Sequence, residues 1–384
     1  MKNSITTSVR TIAFFLISIL ALGCMSPNSK AQAQPAPDKQ KIMLALLLDT
    51  SNSMDGLIDQ AKSQLWTIVN ELSAAKCSDG ARPEIQIALF EYGNDGLPRT
   101  EGYMRMVTNL TSDLDEISEK LFALTTNGGE EYCGYAIDKS IKKLDWSKSN
   151  ADLKMIFIAG NEPFSQGSVA YESSCQLAKD NDIVVNTIFC GNYNEGVRTS
   201  WRHGATLTGG SYMSIEQDRK TVYVRTPYDD EIDRLNDEMN RTYIHYGRDG
   251  KDKKEKQMKQ DANAASYGQA NKVKRAISKS SHAYKNSSWD LVDAYEENDE
   301  VIETMIDEEL PEPMQDMSST ERKAYIKEYS EQRASIKKQI QTLSVKRKTY
   351  IAENQPKEAN QNTLDNAMIN SIKSVGKSKS LTFD

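Results

Sequence analysis

The stretch LALLLDTSNSMDG, Leu44 to Gly56, decides the fold. Its first half, Leu44 to Leu48, is an unbroken aliphatic run, as expected of a strand buried on both faces. The run stops at Asp49, and Ser51 and Ser53 follow at alternate positions. The next segment places Met54, Leu57, Ile58, Ala61, Leu65, Ile68, Val69 and Leu72 at helical spacing. The expectation is a buried strand, a short polar loop, and a long amphipathic helix starting at Met54, with Ser53 as its cap. Ligands of open α/β sheets sit beyond the carboxyl ends of the strands. One carboxylate and two hydroxyls then converge above the sheet. Such hard oxygen donors suit Mg2+, Mn2+ or Ca2+.

Working outward, strand and helix patterns alternate to about Gly247. EIQIALFEY (84–92), YMRMVTNL (103–110), LKMIFIAG (153–160), IVVNTIFCG (183–191) and SYMSI (211–215) read as strands. Residues 114–124, 133–144, 169–181 and 198–207 read as helices, and Thr226-Pro227 opens another with Pro at its first position. This alternation predicts a doubly wound, mostly parallel α/β sheet flanked by helices, a Rossmann-like architecture.

Beyond about Lys251 strand patterns stop, and an all-α C-terminal extension is expected. A Lys-rich segment (251–285) precedes one with no Lys or Arg between Trp289 and Met317. Ser318 and Glu321 have the spacing of a capping box. Ile326, Tyr329, Ile336, Ile340, Leu343 and Tyr350 then follow a heptad-like repeat, interrupted by Arg333 and Arg347. Two arginines on the seam point to a helix packed on its neighbours rather than a strong zipper. The expected organisation is a sheet domain over 41–247, a helical, coiled-coil-like region over 248–352 and a flexible tail over 353–384.

The N-terminus has the pattern of an export signal. Lys2 and Arg10 precede an apolar run to Leu22, of signal-peptide length and too short for a comfortable membrane span. LALGC, ending at Cys24, resembles a lipobox, so 1–23 is read as the signal peptide and Cys24 as the lipidated residue. AQA at 31–33 offers the alternative of cleavage after Ala33. Residues 24–40 then form a polar tether. An exported, envelope-facing lipoprotein is expected, otherwise a periplasmic or secreted protein. Disulfides among Cys77, Cys133, Cys175 and Cys190 are permitted there, buried free thiols being the other reading. The formal net charge of -7 argues against nucleic acid as a partner. With no C-x-x-C pair and only His203, His245 and His282, a zinc site is not expected.

Asp49-Thr50-Ser51-Asn52-Ser53, after a buried strand and before a long helix, resembles the D-x-S-x-S signature of the von Willebrand factor A (vWA) family and its metal-ion-dependent adhesion site. Other readings fit less well. A haloacid-dehalogenase-like phosphatase needs an acid where Ser51 stands, and a phosphate loop needs glycines across 50–52. A serine hydrolase needs a G-x-S-x-G elbow. The family also implies a threonine from a second loop near a Gly-Gly pair, but here LTTNGGEEYCG (124–134) has Glu130 and Glu131 after the glycines and Thr125 and Thr126 before them. Where the family ends a main strand in Asp-Gly, FIAGNEPF (157–164) has Gly160, Asn161 and Glu162.

The metal ligands implied are thus Asp49, Ser51, Ser53, Asn161 and either Glu131 or Glu130. Such a glutamate fills, from within the chain, the position that a partner's acidic residue takes in the family. DGLIDQAKSQLW, ALTTNGGEEYCG and IFIAGNEPF together resemble a group of exported bacterial vWA proteins. The resemblance implies a protein-binding or scaffold module of the cell envelope, not an enzyme. A metal-dependent hydrolase and a metal-independent structural protein are the alternatives.

Overall fold

The computed structural model describes residues 39–219, 223–354 and 362–383. The expected signal peptide, lipidation at Cys24, cleavage after Ala33 and the tether up to Asp38 lie outside the described residues. The strands are β1 (Lys41–Asp49), β2 (Ala75–Lys76), β3 (Glu84–Tyr92), β4 (Met104–Thr111), β5 (Leu153–Gly160), β6 (Val184–Cys190), β7 (Tyr212–Ile215) and β8 (Thr382–Phe383). The helices of the first half are α1 (Asp55–Ser73), α2 (Leu114–Phe122), α3 (Cys133–Lys143), α4 (Tyr171–Asp180), α5 (Tyr193–Arg198) and α6 (Trp201–Leu207). Then follow α7 (Asp229–Arg241), α8 (Gly250–Ser266), α9 (Gln269–Ser280), α10 (Leu291–Glu297), α11 (Val301–Thr304), α12 (Glu312–Gln315), α13 (Ser319–Asn354) and α14 (Leu364–Ser378).

Six strands form one sheet in the order β4-β3-β1-β5-β6-β7. All pairs are parallel except β3 with β4, which puts an antiparallel strand on one edge. The chain builds outward from β1 to β4, then crosses back to lay β5 on β1's other side. That reversal makes the carboxyl ends of β1 and β5 the sheet's switch point, where α/β folds place ligands.

The apolar run of β1 is continuous because both faces are covered. Ile42, Leu44, Leu46 and Leu48 join one hydrophobic cluster with Leu65 and Val69 of α1. Ala45 and Leu47 point the other way, into a cluster with Ile137 of α3 and Trp201 of α6. The period of two in a strand produces this split.

Several expectations change at this point. Residues 52–54 form a 3-10 turn and α1 starts at Asp55, with no side-chain cap from Ser53. The Ser53 hydroxyl turns instead toward Ser51 and Asn161. The helix expected over 198–207 is two short ones, broken at Ser200, whose φ is 74°. Pro227 lies ahead of α7, and Thr226 donates its N–H and its hydroxyl to the Asp229 carboxylate at the helix start. All four cysteines of the described chain are free here, with Cys133, Cys175 and Cys190 buried in the core, as in the reading of buried free thiols.

The described part of the tail, 362–383, is packed on the domain. Leu364, Met368 and Ile372 of α14, spaced four apart, are buried in the same cluster as β1 and α1. Gln60 and Gln64 of α1 accept the Leu364 and Asp365 N–H groups at 3.1 and 2.8 Å, which caps α14 from outside. β8 closes on β2. The polar residues of this segment concealed its apolar stripe.

The heptad seam is not a coiled coil. The capping box forms, with Glu321 accepting from both N–H and hydroxyl of Ser318 at 2.8 and 2.7 Å. Yet α13 packs on α7, α9 and α10, and its Ile336 and Ile340 enter the sheet's own cluster. Arg333 and Arg347 are buried on ion pairs with Asp290 and Asp293, and with Asp229. Residues 39–384 therefore make one compact unit with no break near Gly247.

Candidate metal centre

Asp49 is the last residue of β1 and is fully buried. Its Oδ1 accepts the Ser51 N–H at 2.8 Å, which turns the chain sharply off the strand. That turn brings the Ser51 and Ser53 hydroxyls to 3.1 Å from one another. Ser53 donates to Asn161 Oδ1 at 3.4 Å, a long bond that links the β1 loop to the end of β5.

The second acid is Glu131, not Glu130. Glu131 is 3% exposed, and its N–H is held by Gln166 Oε1 at 3.1 Å. Glu130 points to solvent and accepts from Tyr132 at 2.9 Å. Neither threonine enters the site as a hydroxyl. Thr126 donates to Asp55, and Thr125 offers its carbonyl to Asn94 at 3.2 Å.

Asp49 and Glu131 lie side by side against Gly93, the first residue after β3. A Cβ on Gly93 would stand 2.7 Å from Asp49 Oδ1 and 2.8 Å from Glu131 Cγ. Its φ of 76° suits glycine for a second reason. Gly160 serves the other side, where a Cβ would come within 3.0 Å of Asp49 Oδ2 and 2.5 Å of the Tyr92 hydroxyl. Tyr92, opposite Asp49 in the β1–β3 register, forms the floor and donates to the Ala159 carbonyl at 2.9 Å. Tyr92, Gly93 and Gln166 escaped the sequence reading. A glycine directly after a buried strand was the one available signal.

The electrostatics of the pair are unbalanced. Asp49 Oδ2 and Glu131 Oε2 are both buried without a hydrogen-bond partner. Burial, then the neighbouring Glu131 carboxyl, pushes the Asp49 pKa well above the usual carboxylate range. Burial also raises Glu131, against bonds to Asp49 and Ser51 that hold it down. Two buried carboxylates that close cannot both stay ionised without a proton or a cation between them. Burial pushes the Cys133 and Cys190 thiols well up, so they remain neutral bystanders.

The donor set fits a hard divalent cation: two carboxylates, two hydroxyls and an amide oxygen, with two carboxylate oxygens lacking partners. Among the described residues, no three His, Cys, Asp or Glu side chains come together as a metal cluster. Only two acids meet here, and hydroxyls would complete the set.

Residues 44–199 match the family model of the von Willebrand factor type A domain. The chain carries a vWA domain. Such domains mediate protein–protein interaction. Solved structures to which this chain is similar include BatB from Bacteroides thetaiotaomicron, 13% identical, covering 45% of this chain and 90% of that one, with a TM-score of 0.35. An aerotolerance-related membrane protein from Bacteroides fragilis is 13% identical over 46% of this chain and 93% of that one, TM-score 0.32. The SpRpn10 vWA domain is 17% identical over 45% and 87%, TM-score 0.34. No curated protein matches the sequence. The vWA match ends at residue 199; beyond it α7, α8, α9, α13 and α14 bury side chains in the cluster that holds α1, while α10 to α12 build a separate one.

Proposed function

We propose that this vWA domain is a non-catalytic protein-binding module of the cell envelope whose divalent-cation site is closed from within by Glu131. Asp49, Ser51, Ser53 and Glu131 would hold Mg2+ or a similar cation, with Asn161 at the edge and Glu130 outside. The observation that carries this reading is the pair of orphaned, buried carboxylate oxygens on Asp49 and Glu131. A bound cation would supply the positive charge that the chain itself does not place there. With Glu131 providing an acid from its own loop, the cation would tie the β1 loop to the loop before α3 rather than offer an open position to a partner's carboxylate. Partner recognition then falls to the surrounding face.

The non-catalytic reading is supported by the engagement of two histidines elsewhere among the described residues. His203 is engaged with Tyr171 at 2.8 Å, and His245 bridges to Asp290 in the helical half. Export rests on the N-terminal pattern and the lipobox at Cys24. No helix among the described residues is long and apolar enough to cross a membrane.

Calorimetric titration with Mg2+, followed by an acidic probe peptide at saturating Mg2+, tests the proposal. Glu131→Thr is expected to weaken Mg2+ binding, because a carboxylate attracts a divalent cation more than a hydroxyl does. The same variant is expected to gain affinity for the acidic peptide. Equal Mg2+ affinity in parent and variant would remove Glu131 from the ligand set. No Mg2+ binding in the parent would leave a proton-sharing carboxyl pair and a metal-independent module.

A further inference from the structure

A second site lies away from the sheet's switch point. Four helices, α1, α9, α13 and α14, enclose a cavity of 450 Å³ on the flank of the domain. Its volume falls within the range of small-molecule sites. Its polar wall carries Lys274, Arg347, Lys348 and Lys373 against the acids Glu71 and Asp365.

The pairing of these charges is uneven. Lys373 binds Glu71 at 2.7 Å, and Lys348 reaches the same carboxylate at 3.6 Å. Arg347 is matched by Asp229 at 2.8 Å. Asp365 is occupied by the Thr363 hydroxyl and the Asn366 N–H, at 2.6 and 2.9 Å. Lys274 is half-buried and shares the wall with the Asp365 charge, which attracts it, but its ammonium makes no ion pair or hydrogen bond within bonding distance among the described residues. Thr67 of α1 lines the same cavity, and its hydroxyl is buried and also without a partner among the described residues. An ammonium and a hydroxyl that face a cavity without partners are the two donors an oxyanion needs. The lining also carries the apolar side chains Ile277, Ile351 and Ile369, beside the polar Asn70, Ser344, Asn366 and Asn370.

We propose that this cavity binds a small organic oxyanion, with its carboxylate or phosphate on Lys274 and Thr67 and its apolar part against Ile277, Ile351 and Ile369. Lysine suits the role as a compact point charge. The site draws on α1, which leads directly from the Asp49 loop, and on helices that lie beyond the matched vWA segment. It stands independently of the metal reading.

The test uses the full chain and two probes, hexanoate for a carboxylate source and phenyl phosphate for a phosphate source, titrated by calorimetry at low salt. At least one is expected to bind saturably. Lys274→Met should weaken that binding at least about tenfold, the size of one charge-assisted hydrogen bond. Thr67→Val, which keeps the shape and removes the hydroxyl, should weaken it several-fold while the circular dichroism spectrum is unchanged. The proposal is overturned if neither probe binds the parent, or if Lys274→Met binds as tightly as the parent. Inorganic phosphate binding as tightly as phenyl phosphate would refute the apolar half of the assignment.

Discussion

Two regions of this molecule bury carboxylates, and they do so in opposite ways. In the helical flank Asp115, Asp261, Asp290 and Asp293 each have a cation from the chain. Arg275 lies between Asp115 and Asp261 at 2.6 and 3.0 Å, with its guanidinium 4.4 Å from the Trp66 ring, and Lys279 adds a second cation to Asp261 at 2.8 Å. Arg333 spans Asp290 and Asp293 at 2.5 and 2.9 Å and stacks 4.1 Å over Tyr243. At the carboxyl end of β1 the two acids have no such partner. Removing charges from water is costly unless an opposite charge compensates. The flank is therefore locked by its own sequence, whereas the β1 end depends on a proton or an ion from outside. The pKa directions agree. Lys279 and Arg275 hold Asp261 far below the carboxylate range against its burial, while Asp49 is pushed up.

The largest effect should come from breaking the flank. Arg333→Met strands Asp290 and Asp293 in the core and is expected to cost about 3–5 kcal/mol in chemical denaturation. Adding Asp290→Asn should return part of that loss. A cost below about 1 kcal/mol would show that the flank tolerates unpaired acids, and the contrast would fail.

The β1 end should respond with the opposite sign. Asp49→Asn removes one of two crowded carboxyls, so the metal-free melting temperature should rise rather than fall. In the parent, Mg2+ at 100 times its Kd should add about 2.7 kcal/mol, because a ligand that binds only the folded state stabilises it by mass action. Asp49→Asn should lose that response. A parent melting temperature that ignores millimolar Mg2+ would leave the proton as the sole occupant.

Acidity sharpens the comparison further. Asp49 and Glu131 have folded pKa values raised above their ordinary ones. For such groups the folded state holds more protons than the unfolded one, so stability falls as pH rises. The penalty is absent below about pH 4, where the unfolded carboxyls are also protonated. It grows through the carboxylate range and is complete above the raised values. Without metal, the parent should therefore lose stability on that rise relative to Glu131→Gln, and saturating Mg2+ should reverse the trend. Parallel melting profiles for the two proteins would mean that the acids do not interact.

The smallest effect is expected at the neighbouring residue. Glu130→Gln should change stability by no more than about 0.5 kcal/mol, as exposed substitutions usually do, and should leave the Mg2+ response intact. Any loss of Mg2+ binding there would reassign the second ligand.

Local chemistry in the sequence was enough for β1, α1 and the convergence of Asp49, Ser51 and Ser53. A strand's period of two and a helix's period of 3.6 are written in neighbouring residues. The capping box at Ser318 and Glu321 is likewise a four-residue signal, and it forms as read. Other features were settled only by tertiary structure. The choice of Glu131 over Glu130 depends on Gln166, 35 residues after it in the chain, and on Gly93, just past the end of β3. The tail's order comes from Gln60 and Gln64, more than 300 residues away. Arg333 and Arg347 look like faults in a heptad until Asp290, Asp293 and Asp229 are brought beside them. Each of these is a pairing of polar groups across the fold, and a polar residue's sequence neighbours do not say whether it will meet water, a partner or an ion.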